Sequence, residues 1–126
     1  MKYSIDKQEK YTVFNLEEEN LNSNNAPNLK SEFVILKNEG IKNLIFDLSA
    51  VKFVDSSGLS AILTANRLWQ DDGSFVVTGV EHENVKKLIT ISRLETVLKI
   101  VPTVSESIDY VFMEELEENI KSEDEE

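Results

Sequence analysis

The chain has 126 residues, 40% of them hydrophobic and none of them cysteine, with a formal net charge of -11 at pH 7. That is enough for one domain with its own core, and it excludes disulfides and thiolate metal sites. A surface so acidic is repelled by nucleic acid and by anionic membranes, which argues against direct binding to either.

Residues 2–6 alternate polar and apolar side chains through Tyr3 and Ile5 and predict an edge strand. Gln8, Glu9 and Lys10 predict a turn. Residues 11–16, aromatic and β-branched, predict a second strand that closes a hairpin with the first. Residues 17–28 read as a polar loop. Pro27 suits the first turn of a helix, Leu29, Phe33 and Leu36 recur at helical spacing, and Gly40 is placed to end that helix.

Residues 41–49 read as a central strand, and their near-continuous apolar run expects cover on both faces. A helix over residues 57–71 follows, patterned by Leu59, Ile62, Leu63, Asn66 and Trp69, and Gly73 ends it. Residues 74–80 predict a strand, Val85, Leu88 and Ile89 a short helix, and residues 97–101 a strand closed by Pro102. Thr103 and Glu106 have capping-box spacing for a last helix, with Val104, Ile108, Val111, Phe112 and Leu116 expected inward. The whole predicts an α/β fold, a mixed sheet with helices mainly on one face.

The expected domain is residues 1–113. Residues 114–126 hold eight acids and one lysine, -7 of the net charge, and are expected to form a disordered tail. No apolar run reaches 18 residues, so no membrane span is expected. The first six residues turn polar at once, which is unlike a signal peptide, and the lack of cysteine fits a cytoplasmic setting.

The stretch Phe53-Val54-Asp55-Ser56-Ser57-Gly58-Leu59 carries the functional signal. It sets a hydroxyl pair beside an acid where a buried strand hands over to a helix. Ser, Thr, Asp and Asn are preferred helix N-caps, because a side-chain oxygen satisfies an orphan amide of the first turn. Capping needs one of the three residues Asp55, Ser56 and Ser57, and a serine left over would be exposed to a modifying enzyme. A phosphate at Ser56 would gain about 0.3–1 kcal/mol from the helix dipole, against like-charge repulsion from Asp55.

Catalysis by the chain itself is not expected. His82 is the only histidine and sits between Glu81 and Glu83, in a polar helix start that reads as surface. No Gly-x-Ser-x-Gly elbow, phosphate-binding Gly-rich loop or calcium-loop spacing occurs, and no cofactor or metal is implied.

Residues 47–59, Asp-Leu-Ser-Ala-Val-Lys-Phe-Val-Asp-Ser-Ser-Gly-Leu, closely resemble the signature of STAS domains, and in particular of bacterial anti-sigma factor antagonists. The resemblance extends from about Tyr3 to Phe112 and is sharpest in the central third. It implies the STAS fold and a partner-switching protein rather than an enzyme. Its unphosphorylated form would bind an anti-sigma factor that is also an ATP-binding serine kinase, and so free a sigma factor. The kinase would phosphorylate Ser56, and a PP2C-type phosphatase would reverse this.

By the same resemblance Asp55, Ser57, Gly58, Leu59 and Asn22 would form the partner surface, with Gly58 allowing close approach. Two places depart from the family pattern. Glu19-Asn20-Leu21-Asn22 stands where Gly-Glu-Leu-Asp is common, and Ser92-Arg93-Leu94 stands for Ser-Gly-Leu. Arg93 is expected to avoid a left-handed turn there. STAS domains also serve in lipid-transport and scaffold complexes, where Ser56 would need to be no more than a cap.

Overall fold

The computed structural model describes residues 1–125, with side chains as far as Glu123. Strands β1 (Tyr3–Lys7) and β2 (Thr12–Leu16) form the expected antiparallel hairpin. A two-residue strand, β3 (Asn20–Leu21), lies within the stretch expected to be loop, and helix α1 (Ala26–Asn38) follows. Strand β4 (Asn43–Asp47), a second two-residue strand β5 (Phe53–Val54) and helix α2 (Ser56–Leu68) come next. The chain then runs through β6 (Ser74–Thr78), α3 (Glu83–Ile91), a single 3-10 turn at Leu94–Thr96, β7 (Lys99–Val101) and α4 (Val104–Glu125).

The main sheet is mixed, in the order β1-β2-β4-β6-β7, parallel throughout except for the opening hairpin. Its two faces follow from the period-2 alternation of strand side chains. Phe14, Leu16, Leu44, Phe46, Phe75 and Val77 point into the larger core with α1, α2 and α3. Ile45, Val76 and Val101 point to the other side, where Val111 of α4 covers them. Every residue of β4 is buried, which explains the apolar run Leu44-Ile45-Phe46 at its centre. Phe33 of α1 stands edge-on to Phe46 with ring centroids 5.2 Å apart. Trp69 is buried against Phe75, and its Nε1 donates to the Ile41 carbonyl at 2.9 Å, so the burial leaves no unpaired donor.

Gly40 ends α1 as expected. At φ +93° its amide donates to Lys37 O, and the Ile41 amide donates to Leu36 O, the two bonds of a Schellman cap. Thr103 caps α4: its Oγ1 accepts from the Glu106 amide at 3.1 Å.

Three expectations differ. Arg93 does take the left-handed conformation, at φ 55° and ψ 32°. Its amide donates to Thr90 O, and its carbonyl accepts from the Thr96 amide and hydroxyl, bonds that hold the turn against a strain of about 1–3 kcal/mol. Phe112 and Leu116 are exposed rather than inward. Residues 114–125 are helical where an irregular tail was expected; residue 126 lies outside the described residues. The helix persists because its acids find distant partners. Glu115 Oε1 accepts from Asn43 Nδ2 at 2.7 Å, and Glu118 pairs with Lys42 at 3.0 Å.

Candidate functional site

The turn after β4 is built on Asp47, whose Oδ1 accepts from the Ser49 amide at 2.9 Å, while the Val51 amide closes on Leu48 O. The chain then runs as β5 alongside β3. The pairing is parallel, Asn20 with Phe53 and Leu21 with Val54. The Lys52 and Phe53 amides both donate to Glu19 O, and the Asp55 amide donates to Leu21 O. The variant loop over residues 19–22 is therefore hydrogen-bonded directly to the Asp-Ser-Ser-Gly segment, more than thirty residues away in sequence.

Asp55 is the N-cap of α2. Its backbone is extended, at φ -100° and ψ -173°, and its Oδ1 accepts from the Gly58 amide at 2.9 Å. The choice among three possible caps is thereby settled. Ser56 is the first helical residue and is exposed, and Ser57 is half-buried. Leu59 is half-buried against the main core, so only part of it faces outward.

Gly58 has a different role from the one the resemblance implied. It is buried, and a Cβ placed on it would stand 2.5 Å from the Leu21 carbonyl oxygen and 2.8 Å from Val54 Cγ1. The missing side chain makes room for β3 and β5 of the same chain.

Asn22 is also tied down internally. Its Oδ1 accepts from the Asn24 amide at 2.9 Å, its amide donates to Asn25 Oδ1, and its carbonyl accepts from the amides of Asn25 and Ala26. It shapes the entry to α1, a common use of Asn in turns.

The starts of α1 and α2 lie side by side and enclose a shallow hollow of about 300 Å³, lined by Ser23, Ala26, Pro27, Lys30, Ser56, Ser57 and Ser60. Lys30 Nζ donates to Ser60 Oγ at 3.0 Å, one helical turn beyond Ser56. The hollow therefore combines four hydroxyls and one cation with the positive end of the α2 dipole. Phe53, three residues before Ser56, is 52% exposed.

Phe53 and Lys30 were not singled out from sequence. Phe53 carries a usable signal: in the pair Phe53-Val54 one side chain must face out, and Val54 packs on the core. Lys30 carries none, because its nearness to Ser60 depends on how α1 and α2 pack. His82 is the N-cap residue of α3 and makes no side-chain cap bond. No helix among the described residues is long and apolar enough to cross a membrane.

Comparison with known proteins agrees with this geometry. The model of the STAS domain family matches residues 2–107. A candidate anti-sigma factor antagonist of Thermotoga neapolitana is 28% identical over 74 residues, 59% of this chain and 66% of the relative, so the match spans just under two thirds of that protein's length. An anti-sigma factor antagonist of Mycobacterium paratuberculosis has a crystal structure with a TM-score of 0.79, at 19% identity over 87% of this chain and 92% of that one. The Bacillus cell fate determinant SpoIIAA, in its phosphorylated form, superposes with a TM-score of 0.66, at 18% identity over 87% of this chain and 99% of that one.

Proposed function

The chain belongs to the STAS domain family, and from that premise we propose that it is an anti-sigma factor antagonist switched by phosphorylation of Ser56. In this reading the unmodified protein binds an anti-sigma factor that is also an ATP-binding serine kinase, and a sigma factor is released in consequence. The kinase transfers the γ-phosphoryl group of ATP to Ser56 Oγ, leaving ADP, and the modified protein lets go. A PP2C-type phosphatase hydrolyses the phosphate and resets the switch. The chain is a substrate and a binding protein in this cycle, acting in the cytoplasm, and not a catalyst.

One observation carries the reading: Asp55 caps α2, so Ser56 is exposed at the helix start without being needed to hold it. The names of the relatives and the phosphorylated form of the Bacillus structure support it further. Phe53, Ser56, the outer edge of Leu59 and the rims of Asp55 and Ser57 make up the proposed contact surface. Asn22 and Gly58 contribute by shaping it.

The physics of such a switch is sufficient. Phosphorylation adds about -1.5 to -2 charges. In a closed interface next to Asp55, that charge must be desolvated beside another of the same sign. A hundredfold loss of affinity requires about 2.7 kcal/mol, and a buried unpaired charge costs more than that. Because the phosphate faces a helix N-terminus, the fold itself tolerates it.

The test is capture from source-cell lysate with wild type and with Ser56→Asp, read by mass spectrometry. The expected result is an ATP-binding kinase held by wild type and lost by Ser56→Asp. Recovery of a transport ATPase by both proteins would overturn the reading in favour of a lipid-transport subunit.

A further inference from the structure

The last helix has two apolar sides. Ser107 and Val111 face the sheet and are buried. At about 100° per residue, Phe112, Leu116 and Ile120 fall in one row on the roughly opposite side, with Met113 beside them. These four side chains are 43% to 56% exposed. Phe112 leans edge-on against Tyr11, with centroids 6.2 Å apart. Asp109 and Glu123 close the two ends of the row and Glu117 runs along its side, all exposed. Lys121, the only cation after Lys99, falls on a different side of the helix.

We infer that this outer face of α4 is a second docking surface, on the side of the sheet away from Ser56, and that it takes a basic amphipathic helix of a partner protein. A helix fits because an i, i+4, i+8 row is the ridge that packs into the groove of another helix. A basic partner fits because acids frame the row at both ends and along one flank, so that its cations would meet charges of opposite sign. A second copy of this chain fits poorly. Antiparallel pairing of two rows would bring acidic ends against acidic ends, between molecules of net charge -11 each. The four side chains would also bury on the order of 400 Å² per partner, about half of what a stable dimer uses.

The test uses the full chain and two labelled 18-residue peptides of Leu and Lys, one with Leu at helical spacing and one of the same composition scrambled, followed by fluorescence anisotropy. The amphipathic peptide is expected to bind wild type at least about tenfold more tightly than the scrambled one. That preference should vanish in the double variant Leu116→Ser, Ile120→Ser and persist in Ser56→Asp. Both sites of the double variant are exposed, so its fold can be checked to be intact by its unfolding curve. Equal binding of the two peptides would overturn the proposal, since charge alone would then explain the contact. So would a wild-type dimer in sedimentation that the double variant dissociates, since the occupant would then be a second copy.

Discussion

Asp55 Oδ1 accepts a hydrogen bond from the Gly58 amide at 2.9 Å, and this one bond divides the labour in the Asp-Ser-Ser-Gly segment. The acid holds the helix start, and Ser56, the first of the two serines between them, is left exposed. Asp55→Ala is therefore expected to lose about 0.5–2 kcal/mol of stability, the usual loss for an N-cap. Ser56→Ala should stay within about 0.5 kcal/mol of wild type, as a surface substitution does. Urea unfolding of the two variants checks this; equal losses would mean that Ser56 shares the cap.

Gly58→Ala should be the more damaging change. The added methyl meets the Leu21 carbonyl, which is held by its bond from the Asp55 amide and cannot swing away as a side chain would. Overpacking of this kind costs typically about 1–3 kcal/mol, and here it would also push β3 away from β5. Denaturant midpoints measure the loss, and a midpoint unchanged from wild type would contradict the packing described.

Much of the fold was legible in the sequence. The hairpin, the fully buried β4 and the four helices all show in the spacing of apolar residues, because each buries a face through many side chains. The pairing of β3 with β5 was not legible. It involves two residues from each segment and depends on a contact between positions more than thirty residues apart. The helical state of residues 114–125 was hidden for the same reason, since Lys10, Lys42 and Asn43 anchor it from the far end of the sheet. At the site, Ser56 and Asp55 were readable from their motif. The internal roles of Gly58 and Asn22 appear only once Leu21 and the start of α1 are in place.

Asn43 gives a test of that anchoring. It is buried, and its Nδ2 donates both to Lys10 O at 2.9 Å and to Glu115 Oε1 at 2.7 Å. Asn43→Ala removes both bonds, one of them to a charged carboxylate, and should lose about 1–3 kcal/mol. Hydrogen exchange should show the excess concentrated in amides of α4 beyond Val111. Loss spread evenly over the chain would contradict the anchoring role.

High pH should loosen the same helix. Burial raises the pKa of the Tyr110 hydroxyl, helped by the nearby charge of Glu114 and by a hydrogen bond to it. Hydrogen bonding to Glu118 raises that of Lys42. Both groups hold their protons more tightly in the folded chain. The stability they contribute is thus complete below their unfolded pKa values, about 10 or slightly higher, and is lost as pH rises through the folded ones. The melting temperature is expected to fall above about pH 10, and less steeply in Tyr110→Phe. An equally steep fall in that variant would remove Tyr110 from the explanation.

The most direct measurement is the affinity of the captured kinase for two forms of this chain, one unmodified and one carrying phosphoserine at position 56, by titration calorimetry. A loss of about a hundredfold or more on phosphorylation, equivalent to about 2.7 kcal/mol, is the predicted result. Equal affinity of the two forms would contradict the switch and leave Ser56 as an exposed serine without a regulatory role.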